Sequence, residues 1–258
     1  MNRNFAVVWT RAACALLAFM LTACAGMTPG GGRLDVDGLN NAIVTDDVDY
    51  LRAAVSSRAV SVNQRIPAPG YLEGTPLITI AAKHASLNIL RYLIAAGANV
   101  NARTPVNETP LMLAAFFFDE GRDSGTRSYD RHEKAVRMLV QAGASLENEA
   151  YHYTPLAYAA YQGHDRIVRF LLERGARVDA DAHNDLTYIN TPLMMAAIQG
   201  HRGTAHSLLR AGANPRVRIH AGHTAAELAV KYNHMHLFHL LKCAESVTPG
   251  EAFARGCQ

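Results

Sequence analysis

The side chains of this chain that could carry out chemistry are above all its twelve histidines and four cysteines. His132-Glu133 begins like the helix of a zinc protease, but Val136 stands where that motif places its second histidine. His239 and Cys243 are one helical turn apart and could pair an imidazole with a thiolate, but no oxyanion-hole motif accompanies them. We therefore predict no catalytic residue, no cofactor and no metal site. The alternative from another functional class is an enzyme whose active site lies in a groove of the protein and uses some of these histidines.

The N-terminal segment has the composition of an export signal. Arg3 and Arg11 form a positive region, 12–21 is an apolar stretch, and no acidic residue precedes Asp35. About ten apolar residues are too few to span a bilayer as a helix, but they suit a secretory signal peptide. The sequence therefore predicts export from the cytoplasm.

Cys24 ends a short motif that follows the apolar stretch. The order Leu21-Thr22-Ala23-Cys24 resembles a bacterial lipobox. This resemblance implies cleavage before Cys24, acylation of its thiol, and stable anchoring by two or three acyl chains. Ala25 after the cysteine resembles the sorting signal for the outer membrane, with the protein facing the periplasm. Ordinary signal cleavage after Ala25 is the alternative, because Ala23-Cys24-Ala25 also fits a small-x-small pattern.

Two further cysteines lie near the C-terminus. Cys243 and Cys257 are 14 residues apart, with Pro249-Gly250 between them as a turn signal. In an oxidising compartment this spacing favours a disulfide that ties the tail to the last helix. A buried Cys243 with a free Cys257 in a frayed tail is the alternative.

A recurring tripeptide and a Gly-Ala pair further along each unit indicate the helices that position these residues. The Thr-Pro-Leu tripeptide starts at Thr75, Thr109, Thr154 and Thr191, and a weaker copy starts at Thr224. Units of about 33 residues result, with insertions between Phe117 and about Asp130 and between about 181 and 190. Thr is a favoured N-cap, Pro suits the first helical position, and Gly ends helices in the left-handed conformation. The pattern therefore predicts an array of helix pairs.

The repeated unit resembles the ankyrin repeat family. Residues 191–213 follow the family pattern of Thr-Pro-Leu, an Ala pair, Gly-His and a final Gly-Ala almost position by position. The resemblance implies an all-α repeat solenoid whose helix-turn-helix units are joined by short hairpins or loops. It also implies that His164 and His201 are structural residues of the turn between two helices.

The array is expected to have an atypical N-terminal cap around 39–63 and a degenerate C-terminal repeat that begins at Thr224. The predicted organisation is a cleaved signal peptide at 1–23, a lipidated cysteine and flexible tether at 24–37, the repeat domain at 38–245, and a tail at 246–258.

The concave face of the array is the predicted binding surface. In the ankyrin pattern, the residue before the Ala pair and the two after it face this groove. The resulting candidates, which include the basic and aromatic residues of the first insertion, are Phe116, Phe117, Tyr158, Tyr161, Ile198, Tyr232, Arg122, Arg127 and Tyr129. Contiguous exposed aromatic residues are typical of protein interfaces, although core positions and a solvated loop are the alternatives.

Composition and resemblance together indicate a protein partner. Removing Arg3 and Arg11 with the signal lowers the formal net charge from +3 to +1, which does not favour nucleic acid. The chain resembles periplasmic ankyrin lipoproteins that act as immunity partners of secreted toxic enzymes such as phospholipase effectors. We expect such a partner, a membrane attachment through the lipid anchor, and a monomer outside the complex. An envelope scaffold or an accessory of an oxidative-stress enzyme is the alternative within binding functions.

Overall fold

A computed structural model describes the chain at residues 34–68, 74–117, 126–147, 153–179, 190–218, 222–247 and 257. The predicted Cys24 and the segment 1–33 lie outside the described residues. None of the described helices is both long enough and apolar enough to span a bilayer.

The described residues form six antiparallel helix pairs. The pairs are α1 (Val36–Thr45) with α2 (Val48–Ser56), α3 (Leu77–Lys83) with α4 (Leu87–Ala95), α5 (Pro110–Ala115) with α6 (Thr126–Gln141), α7 (Pro155–Gln162) with α8 (Asp165–Glu173), α9 (Pro192–Gln199) with α10 (Arg202–Arg210), and α11 (Ala225–Lys231) with α12 (Met235–Glu245). The predicted all-α solenoid of helix pairs is confirmed.

Threonine caps start the first helix of four successive pairs. The side chains of Thr109, Thr154, Thr191 and Thr224 each accept a hydrogen bond from the backbone N–H three residues further on. This arrangement satisfies a donor that would otherwise have no partner at the start of the helix. Thr75 is different: it lies in a strand, and Pro76 precedes the first helical residue, Leu77.

A short hairpin joins the first two pairs. Strand β1 (Arg65–Ile66) runs antiparallel to β2 (Thr75–Pro76), with Ile66 opposite Thr75. Because Thr75 takes part in this ladder, its predicted role as an N-cap is wrong. The hairpin connection itself was expected from the resemblance.

The helices form two layers. The first helices (α3, α5, α7, α9 and α11) pack on one another more extensively than the second helices do. The Ala pairs of the first helices are fully buried and allow this close approach, for example Ala114-Ala115 and Ala196-Ala197. The first helices form the more closely packed layer, and the concave groove predicted from the resemblance would lie on their side of the array.

The two ends of the array differ from its centre. Helix α1 begins at Val36, and the Asp35 side chain caps it by accepting a hydrogen bond from the Gly38 N–H. The helical domain therefore starts before residue 38, and the last residues assigned to the tether belong to it. Leu39, Ile43 and Leu51 are buried, as an N-terminal capping pair requires.

Candidate protein-binding surface

Four of the predicted groove residues lie on the first helices or directly after them. Tyr161 and Ile198 are in α7 and α9, and Phe116 and Tyr232 directly follow α5 and α11. We call Phe116, Tyr161, Ile198 and Tyr232 the groove row. The first three side chains are half-buried, and 46% of the Tyr232 surface is exposed. Phe116, Tyr161 and Ile198 each directly follow the Ala pair of their unit, and Tyr232 lies one residue further along its own unit.

Tyr158 lies behind the groove row rather than in it. Only 9% of its surface is exposed, and it forms a small buried cluster with Met112. The Phe116 ring packs edge-on against Tyr158 with 5.1 Å between centroids, and its centroid is 6.2 Å from that of Tyr161. The prediction that Tyr158 contacts a partner is therefore wrong. Its buried ring packs against Phe116 on the side of the core.

The hydroxyl of Tyr158 explains how a tyrosine can occupy this buried position. Glu108, which precedes the Thr109 cap, accepts a hydrogen bond from Tyr158. Burial raises the pKa of the Glu108 carboxyl, and the Lys83 charge and the Tyr158 hydrogen bond oppose that shift. A buried tyrosine needs a partner for its hydroxyl, and the residue before the preceding unit's cap supplies it.

Tyr161 and Tyr232 lie close enough for their phenol groups to interact electrostatically. Burial raises the pKa of Tyr161, and the nearby Tyr232 raises it further. A raised pKa keeps the phenol protonated at neutral pH. The Tyr161 hydroxyl can therefore donate or accept a hydrogen bond across an interface, while its ring contributes apolar area.

Phe117 belongs to the core, so its predicted role in partner binding is wrong. Only 5% of its surface is exposed. Its ring is stacked between His132 and His164, at centroid distances of 4.0 and 3.9 Å. Helix α5 ends at Ala115. Phe117 is therefore outside the helix, and helical periodicity does not set the direction of its side chain.

The start of α6, where the first insertion was predicted, is fixed to the next repeat. The Tyr129 ring packs against Phe117 and His164 at 5.7 and 5.4 Å, and its hydroxyl accepts a hydrogen bond from the Arg166 N–H at 3.1 Å. The Arg166 guanidinium lies 4.5 Å from the centre of the same ring and pairs with Asp130 and Glu133. Tyr129 is thus an inter-repeat contact and not the loop residue that we predicted.

The two arginines predicted to bind a partner cannot be placed in this surface. Arg122 lies outside the described residues, and so does the side chain of Arg127.

Sequence reasoning missed the structural role of His132. It lies 11 residues before Gly143, the same spacing as His164 before Gly175 and His201 before Gly212. Counting backwards from the glycines identifies it as the counterpart of His164 and His201, although it lies within α6 because that helix already begins at Thr126. Counting forwards from Thr109 fails, because the insertion intervenes. Ser86, which lies 11 residues before Gly97, takes the same position and donates a buried hydrogen bond to the Ile43 carbonyl at 2.5 Å.

The C-terminal tail closes the last repeat. Cys243 and Cys257 form a disulfide, with their Cα atoms 5.6 Å apart, and Cys257 is buried. Arg216 donates hydrogen bonds to the carbonyls of Glu245 and Val247, both at 2.8 Å. These contacts hold the end of α12 and the residues after it against the loop that follows α10.

Comparison with known families agrees with this architecture. A family model described as ankyrin repeats (3 copies) matches residues 127–184, and the single ankyrin repeat model matches residues 74–105 and 189–219. The domain is an ankyrin repeat array. No curated protein sequence matches the chain at a significant level.

Ankyrin repeats are protein-binding modules and are typically not enzymes, which agrees with the half-buried aromatic groups of the groove row. Within the part of the chain that the structure describes, no three His, Cys, Asp or Glu side chains are grouped so that they could hold a metal ion.

Proposed function

We propose that the concave face of this ankyrin array binds another protein through the groove row. The observation that carries the proposal is the placement of partly exposed Phe116, Tyr161, Ile198 and Tyr232 at the C-terminal ends of four successive first helices. Aromatic side chains give an interface a large contact area at low entropic cost. Because Phe116, Tyr161 and Ile198 pack against buried neighbours, this part of the row is preorganised for a partner.

The partner we propose is a secreted toxic enzyme of the phospholipase type, which the chain would inhibit as an immunity protein. The lipobox-like sequence that ends at Cys24 supports an anchored, periplasmic location on the outer membrane. The disulfide between Cys243 and Cys257 suits the same compartment, because disulfides persist in oxidising surroundings. An anchored inhibitor would meet such an enzyme where it attacks the envelope.

A growth assay tests this function. If a phospholipase-type enzyme is encoded beside the gene for this chain, bacteria would express that enzyme in the periplasm, with and without the chain itself. We expect the wild-type chain to restore growth and Tyr161→Ala combined with Tyr232→Ala to restore it poorly. Lys134→Ala, an exposed position on the second helix α6, is the matched control and should protect fully.

Two results would contradict the proposal at different levels. Absence of protection by the wild-type chain would refute the immunity role. Full protection by the double tyrosine variant would show that the enzyme is bound by another surface than the groove row.

A further inference from the structure

A column of histidines runs along the array directly behind the groove row. The Nε2 atoms of His164, His201 and His234 lie 3.1, 3.0 and 3.0 Å from backbone carbonyl oxygens of the preceding repeat. A carbonyl only accepts, so each Nε2 carries the proton and donates. His201 donates to the carbonyl of Tyr161, and His234 donates to the carbonyl of Ile198. These histidines therefore hold the backbone of two groove-row residues.

The other ring nitrogen, Nδ1, is closely packed in His201 and His234. A β-carbon added to Gly163 would come within 2.5 Å of the His201 Nδ1 atom, and one added to Gly200 would come equally close to that of His234. Both rings therefore lie directly against the backbone of the preceding repeat. When Nε2 bears the proton, Nδ1 is the atom that would gain a second proton in acid. A charge created there is confined between two repeats.

His132 continues the column toward the N-terminus. Its Nδ1 is buried and has no hydrogen-bond partner among the described residues. Burial lowers the pKa of His132 to about 3, a hydrogen bond with the Ala114 backbone opposes this, and the charges of His164, Arg131 and His84 lower it further. Burial and the charge of His234 also lower the pKa of His201, against the hydrogen bond with Tyr161. The surroundings of both histidines thus disfavour protonation.

We propose that this histidine column makes partner binding sensitive to acid, because its protonation separates the repeats that position Tyr161 and Ile198. The inference rests on the proposed function, since it assigns a regulation to the same groove. The array would hold its partner at neutral pH and release it as the surroundings become acidic.

The direction follows from proton linkage. A histidine whose pKa is lower in the folded state than in the unfolded chain stabilises the fold above about pH 6.5, and this stabilisation is lost as the pH falls toward the folded pKa. With a folded pKa of about 3, His132 alone would lower the ratio of folded to unfolded protein about thirtyfold between pH 7.5 and pH 5. The effect of His201 has the same sign.

Hydrogen–deuterium exchange of the purified protein, corrected for the intrinsic pH dependence of exchange, tests the proposal without a partner. We expect amide protection in 158–162 and 195–199 to fall at least tenfold from pH 7.5 to pH 5 in the wild type. His132→Gln combined with His201→Gln keeps amide donors but cannot become charged, so its protection should change much less. His239→Gln, at an exposed position outside the column, should behave as the wild type does.

Protection that does not depend on pH, or an equal fall in the double variant, would overturn the proposal. If the double variant does not fold, titration of the wild-type histidine C2 protons by NMR replaces it. We expect His132 and His201 to titrate below the ordinary value of about 6.5, and ordinary titration of both would contradict the inference. These measurements involve no partner, so their failure is distinguishable from failure of the binding function.

Discussion

Two adjacent phenylalanines should respond to truncation in opposite ways. Phe117 is stacked between two imidazole rings in the core, and its neighbour Phe116 is half-buried in the groove row. Replacing a core phenylalanine with alanine typically costs about 3–5 kcal/mol, because the lost burial is accompanied by a cavity. Here the gap would lie between His132 and His164, whose rings stack on the two faces of Phe117 and are hydrogen-bonded to the backbone at Ala114 and Phe117. We therefore expect Phe117→Ala to lower the free energy of unfolding by about 4 kcal/mol.

Phe116→Ala is the matched control for this experiment. Its side chain is only partly buried, so the loss should be about 1–2 kcal/mol, roughly half of a full hydrophobic transfer with a small packing term. Urea denaturation followed by far-UV circular dichroism measures both values, and the slope with urea should stay the same in the two variants. If Phe117→Ala destabilises the protein no more than Phe116→Ala does, Phe117 is not the core residue that the structure shows.

Three further changes test other parts of the molecule. Replacing Cys243 and Cys257 by serine should destabilise the last repeat by about 3 kcal/mol in the chain-entropy model, and unchanged urea unfolding relative to the oxidised protein would contradict this. Cys24→Ser should move the protein from the membrane fraction to the soluble periplasm or leave it unprocessed, and unchanged membrane partition would refute lipidation. Gly200→Ala should lower the melting temperature, because the left-handed backbone with φ of 76° and the His234 ring both oppose a β-carbon. Gly203→Ala is its control: Gly203 lies within α10 with open space around it, so alanine should stabilise the helix by about 0.5–1 kcal/mol.

Local chemistry made most of the fold predictable from sequence. Thr154 and Thr191 cap helices as their residue type favours, and the following prolines occupy the first helical positions. Gly163 and Gly200 end the first helices in the left-handed conformation that glycine adopts without strain. Such features depend on a few neighbouring residues, so a single sequence reveals them.

The candidate site was less predictable, because exposure depends on contacts between distant residues. Tyr158 and Tyr161 both lie on α7 and both have the spacing of a groove residue. Tyr158 is buried because Glu108, from the hairpin before the preceding unit, accepts a hydrogen bond from its hydroxyl. Phe117 is buried because it follows the end of α5 and its ring stacks between His132 and His164. Neither long-range contact leaves a periodic signal in the sequence.

The most direct test of the central claim is the affinity of the envelope partner for variants of the groove row. We would isolate that partner from envelope extracts with the wild-type chain and measure its binding to the purified variants by isothermal titration calorimetry. Tyr161→Ala or Tyr232→Ala should weaken binding by about 2 kcal/mol, roughly thirtyfold, while the melting temperature stays within a few degrees of the wild type. The control Lys134→Ala should leave the affinity unchanged. Wild-type affinity in both tyrosine variants would contradict the account, because the groove row would then take no part in binding.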